Sequence, residues 1–204
     1  QNTEHVDISK KALVIMCADN GIVEENVSQS GQDVTAIVAA NMASRKSSVC
    51  LMAGYTGAQV IPVDIGIACE TIPSGKKIDD MDGILHKKIS HGTKNFLKEH
   101  AMTDKQCIKA IETGKEIVKM CSEKGINIIA TGEMGIGNTT TSAALAAILL
   151  DEKPENVTGY GAGLTNEGLK NKTETVRKAC EMYSGYKDDA LKLLSCIGGL
   201  DIAG

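Results

Sequence analysis

Three short, mostly apolar runs set the limits on what this chain can fold into. Residues 12–17 read ALVIMC, residues 60–67 read VIPVDIGI and residues 126–130 read INIIA. Runs this short, with little polar alternation, fit strands covered on both faces, as in a parallel sheet. Helix-like stretches lie between and after them, at residues 33–43, 48–53, 103–121, 141–150, 165–183 and 188–197. Strand and helix alternating in this way predict an α/β fold, a Rossmann-like parallel sheet with crossover helices. No linker divides the chain, so residues 1–204 read as one core domain.

The helical stretches carry local signals. Val34, Ile37, Val38 and Met42 fall on one face of the first. Thr103 and Gln106 make a capping-box pattern, and Cys107, Ile108, Ile111, Val118 and Cys121 recur at helical spacing before Gly125 ends that helix. Gly198 and Gly199 stop the last one. Pro62 lacks an N–H, which predicts that its strand is an edge or starts late. Asp64 near the end of that strand needs partners if buried. Residues 71–83, punctuated by Gly, Pro and Asp, read as a loop.

Net charge is −4, which argues against nucleic-acid binding, since that needs a basic surface. No apolar run approaches the ~20 residues that cross a bilayer. Seven cysteines, an odd number with no C-x-x-C, suggest reduced thiols in a cytoplasmic protein. His5, His86, His91 and His100 share no metal-ligand spacing with them, so no metal site is expected and each histidine reads as a surface or loop residue. Met16, Met42, Met52 and Met120 read as aliphatic core. Lys76–Lys77 and Lys87–Lys88 read as solvated pairs.

Ligands of an open parallel sheet bind beyond the carboxyl ends of its strands. Three segments fall there: residues 19–21 (DNG), residues 64–66 (DIG) and residues 132–140 (GEMGIGNTT). The third places Gly132, Gly135 and Gly137 just before a helix, with Asn138, Thr139 and Thr140 suited to its N-terminus. Backbone N–H groups there favour a phosphate. The spacing is neither a Walker P-loop nor G-x-G-x-x-G, and a plain strand-to-helix turn needing glycine fits it about as well. Glu133 inside such a loop suits a hydroxyl, a ring nitrogen or a developing positive charge. A second cluster, Gly159, Gly161 and Gly163, precedes another helix capped by Thr165 or Asn166. Lys172, about two turns in, could reach an anion, although a lone lysine on a helix is more often solvated.

These segments carry a resemblance. Residues 131–144 (TGEMGIGNTTTSAA) are similar to the signature loop of the nicotinate-nucleotide:dimethylbenzimidazole phosphoribosyltransferases of cobalamin synthesis. Residues 18–35, 63–67, 159–172 and 198–204 resemble further family segments in the family's order. The resemblance implies a homodimer needing no metal or cofactor. It implies transfer of the phosphoribosyl group of nicotinate mononucleotide to 5,6-dimethylbenzimidazole or a related base, giving α-ribazole 5′-phosphate and nicotinate. Carried over by position, Glu133, Gly135, Asn138, Thr139 and Gly161 line the nucleotide site, with Lys172 at the phosphate and Ser28 and Gln32 near the base. The family's main catalytic base is a glutamate expected beyond Gly204, which leaves Glu133 a supporting role. Much of the family's small helical domain is absent, and the chain reads as incomplete at both termini. Tyr160 stands where the family has arginine, and Ser30–Gly31 replaces an aromatic–proline pair. An alternative reading is a binding module without turnover. An unrelated dinucleotide oxidoreductase is disfavoured by the missing G-x-G-x-x-G.

Overall fold

The computed structural model describes residues 4–71 and 83–204. Lys76–Lys77 and most of the expected 71–83 loop lie outside the described residues. Strands β1 (Lys11–Ala18), β2 (Ala58–Gly66), β3 (Leu85–His86) and β4 (Ile128–Met134) form a parallel sheet in the order β3-β2-β1-β4. β1 is covered on both faces. Ala12, Val14, Met16 and Ala18 enter one core, while Ile15 and Cys17 enter the opposite one. That two-residue period explains why its sequence is apolar at every position from Ala12 to Ala18.

Helices α1 (Asp33–Ala43) and α2 (Ser48–Thr56) supply the second of these cores through Ala39, Met42 and Ala53. On the other face lie α3 (Asp104–Glu123) and the short α8 (Leu200–Ala203), through Cys107, Ala110, Ile117, Cys121 and Leu200. A third cluster joins α4 (Asn138–Leu150), α6 (Asn166–Tyr183) and α7 (Ala190–Ile197), through Ala144, Ala147, Val176, Ala179, Leu193 and Cys196. The four-residue α5 (Pro154–Val157) connects α4 to the second glycine cluster.

Several expectations are corrected. The buried line of α1 is Thr35, Ala39 and Met42, and Ile37 is 55% exposed. Small side chains at Thr35 and Ala39 let this helix approach the sheet, so Ile37 turns outward, while Met42 is buried as expected and Val38 packs against the same core. In α3 the buried line is Cys107, Ala110, Gly114, Ile117 and Cys121, in alternating steps of three and four, whereas Ile108 and Val118 are exposed. Pro62 is not in an edge strand: β2 lies between β1 and β3. β3 meets it at Val63 and Asp64, just past the proline, so Pro62 interrupts no ladder on that side. β4 does not end at Ala130. Thr131, Gly132, Glu133 and Met134 pair with Val14, Ile15, Met16 and Cys17, and α4 starts at Asn138 rather than Thr141. β4 is an edge strand, and its open position tolerates these polar residues.

Asp64 is fully buried and satisfied. It accepts from the Ile67 N–H at 3.0 Å and the Thr71 hydroxyl at 2.7 Å, with Lys88 Nζ at 3.5 Å. Lys88 is therefore no solvated lysine, and it also donates to the Ile67 and Cys69 carbonyls. His86 is a β3 residue with a buried Nε2, not a surface histidine. Met52 is exposed rather than core. All seven cysteines are free thiols. No described helix is long and apolar enough to cross a membrane, and no group of three metal-ligating side chains occurs among the described residues.

Candidate active site

The strand order creates the site. The chain passes from β1 outward to β2 and β3, then crosses back to lay β4 on the other side of β1. The connections leaving the carboxyl ends of β1 and β4 therefore run in opposite directions, and a crevice opens between them. Residues 18–20 leave β1 here, and Glu133 to Gly137 lead from β4 into α4.

This loop is held by the end of β1. The Asn20 N–H donates to the Ile136 carbonyl at 3.1 Å. Thr35, from α1, donates to Asp19 at 2.6 Å and accepts from the Ile136 N–H at 3.1 Å. Asp19 also accepts from the Ala68 N–H, and burial raises its carboxyl above the usual range. Gly137 adopts φ +96°, a left-handed conformation that favours glycine, and serves as the N-cap of α4. Asn138, Thr139 and Thr140 thus form the helix's first turn rather than its cap. At Gly135 a methyl group would overlap the Ala18 carbonyl. Close packing of the protein on itself already demands glycine there.

Two polar clusters face this turn. One is a carboxylate cluster. The Asn138 side-chain amide donates to Glu133, and to Asp201 at 3.0 Å. Asn20 donates to Asp201 at 3.4 Å and accepts from the Thr141 hydroxyl at 3.1 Å. Glu133 and Asp201 both line a cavity of about 550 Å³ with Met16, Thr131, Ile117 and Gly204. Partial burial raises the Glu133 carboxyl above its ordinary value.

The other is a cationic cradle. Lys172 is 1% exposed. Its ammonium donates to the Thr139 hydroxyl at 2.7 Å and the Gly159 carbonyl at 3.1 Å. Gly161, at φ +59°, lies so near that an added methyl would sit 3.0 Å from Thr139 and 3.2 Å from Lys172. Burial lowers the Lys172 pKa. Thr165 caps α6 by accepting from the Gly168 N–H, and this places Lys172 under the glycine turn.

The structure brings Glu133, Gly135 and Asn138 together, and Thr139, Gly161 and Lys172 together, at the two sides of one helix N-terminus. It does not bring Ser28 and Gln32 to them in direct contact. Gln32 lines a separate polar cavity with Glu24, His91, Thr93 and Lys98, and Ser28 accepts from the Ser30 N–H. Their loop still borders the cradle: Asn171 of α6 donates to the Glu25 carbonyl at 2.6 Å, and Gln29 lies against Gly163. Sequence reading missed Asn20 and Asp201 as site residues. The DNG turn after β1 was the available signal for Asn20. Asp201 stands in a segment already matched to the family, but its neighbours gave it no chemistry.

A phosphoribosyltransferase family model, DBI_PRT, matches residues 1–204. Nicotinate-nucleotide--dimethylbenzimidazole phosphoribosyltransferase of Acetivibrio thermocellus is 45% identical over 199 residues, covering 97% of this chain and 54% of the relative. The protein of the same name from Clostridium acetobutylicum is 41% identical over 197 residues, covering 97% and 54%. The crystal structure of CobT from Thermus thermophilus matches with a TM-score of 0.87 at 31% identity, over 97% of this chain and 57% of that one. The chain spans about half the length of the curated relatives it matches. From its fold, its site and these likenesses, the chain belongs to the DBI_PRT phosphoribosyltransferase family.

Proposed function

We propose that this chain carries the nucleotide-binding core of an enzyme that transfers the phosphoribosyl group of nicotinate mononucleotide to 5,6-dimethylbenzimidazole or a related base. The observation that carries this reading is the division of the site: a buried lysine cradle and a carboxylate cluster flank one helix N-terminus. A 5′-phosphate would lie against Lys172, Thr139 and the backbone at Gly161, where charge-assisted hydrogen bonds hold it. The ribose would then extend toward Glu133. As nicotinate leaves and the acceptor nitrogen attacks, positive charge develops at the anomeric carbon, and the Glu133 carboxylate would stabilise it. Holding donor and acceptor in line lowers the barrier further. The acceptor N–H proton goes to a base, which the family resemblance puts in a glutamate beyond Gly204. Ser28 and Gln32 belong to the acceptor side of this reading.

Residues 1–204 act as one core domain in this proposal, in a cytoplasmic homodimer. Free thiols agree with a reducing compartment, and exposed Leu51, Met52 and Tyr55 on α2 give an apolar surface of the kind a dimer buries. Calorimetry with nicotinate mononucleotide, paired with a product assay for α-ribazole phosphate in the presence of dimethylbenzimidazole, tests the proposal. Saturable binding is expected. A protein that binds neither nicotinate mononucleotide nor the acceptor would sink it.

A further inference from the structure

Asp201 is the second carboxylate of the site and is 4% exposed. The backbone is pared away around it: a methyl group at Gly135 or at Gly199 would overlap its carboxylate oxygens. Its hydrogen bonds come from the side-chain amides of Asn138 and Asn20 and from the Ile202 backbone N–H at 3.1 Å. The Asn138 amide donates to Glu133 as well, so one NH₂ group spans both carboxylates.

The elements packed against Asp201 bring it no compensating cation among the described residues. β4 presents Glu133. β1 presents Met16, while the Cys17 thiol enters the opposite core and is held neutral by burial and by the acids Asp64, Asp201 and Glu133. α4 presents Asn138 and Thr141, and α3 meets the end of α8 at Gly114. Two ionised carboxylates at such a site repel each other strongly, and retaining one proton removes that cost.

We propose that Asp201 is a positioning residue that keeps the site at one negative charge: its carboxyl group stays protonated while Glu133 is ionised, and Asn138 holds the two in register. The catalytic use of that charge rests on the phosphoribosyl-transfer reading. Burial, together with the Glu133 charge, pushes Asp201 up to about 7. Below that pH the site presents one negative charge to an anionic nucleotide, and above it two. Nucleotide affinity therefore falls as pH rises through neutrality, by up to about tenfold per pH unit if one proton is linked to binding.

Carboxyl-carbon NMR of protein labelled in Asp and Glu, titrated from about pH 4 to 9, tests the charge state directly. One Asp signal is expected to titrate near neutrality, to be missing from Asp201→Asn and to move to lower pH in Glu133→Gln. An Asp201 signal in the ordinary carboxylate range overturns the proposal. If Asp201→Asn does not fold, the shift caused by Glu133→Gln decides the point. Calorimetry with nicotinate mononucleotide then reads the role. The neutral-range fall of affinity with pH is expected to be present in the wild type and in Asp201→Glu and to be missing from Asp201→Asn, which keeps only the fall carried by Lys172. Parallel pH profiles for wild type and Asp201→Asn, displaced by a constant factor, would mean a merely structural residue and overturn the positioning role. A neutral-range Asp201 titration without nucleotide binding in any variant upholds the shared charge and defeats the substrate reading instead.

Discussion

A buried ammonium group needs a counter-charge, and Lys172 has neutral oxygens as its hydrogen-bond partners. No carboxylate pairs with it among the described residues. Such a cation is held at a cost that an incoming anion removes. Replacing Lys172 with Met is therefore expected to leave the chain as stable or more so in urea, yet to weaken nicotinate mononucleotide binding. The loss should be about 1.5–3 kcal/mol, the worth of a charged hydrogen bond, or roughly tenfold to a hundredfold in affinity. Nicotinate riboside, which lacks the phosphate, should bind both proteins equally by calorimetry; equal losses for the two ligands would refute the phosphate role. Since burial lowers the Lys172 pKa, phosphate affinity also falls as pH rises through the lowered value and the ammonium loses its proton. Sequence alone could mark Lys172 because a glycine cluster precedes its helix. It could not show that the turn at residues 159–161 roofs the side chain. Asp201 was less legible still: its role comes from Asn138 and Asn20, 63 and 181 residues away.

Among the elements, the clearest sequence signals are those that close within one turn of chain. The Thr103–Gln106 capping box forms as its spacing indicates, with both reciprocal bonds present. Helix faces were less legible, because close packing selects small residues. Ala110 and Gly114 of α3, like Thr35 and Ala39 of α1, carry no strong hydrophobic signal yet occupy the buried lines. The two-residue β3 is too short for any pattern, and the polar end of β4 hid its pairing with β1. Two helix starts can be set against each other. Thr103→Ala removes a cap far from the site and should cost about 1 kcal/mol in urea denaturation while nucleotide affinity is unchanged. Gly137→Ala forces a left-handed residue to carry a Cβ that meets the Asn20 carbonyl at 3.0 Å. It should cost at least 1–2 kcal/mol, a rough strain figure, and should weaken nucleotide binding as well. Equal ligand affinity in the two variants would show that the α4 N-terminus has no part in the site.

For the molecule as a whole, the decisive feature is which side of β1 receives β4. Alternating strand and helix segments predict a parallel sheet without saying where its order reverses, since that depends on contacts made after the elements exist. Here the reversal gathers residues 18–20, 133–140 and 159–163 from remote parts of the chain. A nucleotide lying across the reversal must touch all three at once. Hydrogen exchange with and without nicotinate mononucleotide should therefore show slowed amides in these three segments together, with α2 (Ser48–Thr56) gaining no more than the global stabilisation. That global term is set by linkage, about 2.7 kcal/mol when ligand is at a hundred times its dissociation constant. Protection confined to residues 159–163 and the start of α6 would mean that the phosphate cradle works alone. The donor would then not reach Glu133, and the carboxylate cluster would need another substrate group as its partner. Protection at residues 18–20 and 133–140 without the cradle would place the base there and leave Lys172 unused. Joint protection is the outcome that a ribose spanning the two halves requires, because its phosphate and its anomeric carbon must be held on opposite sides of the α4 N-terminus.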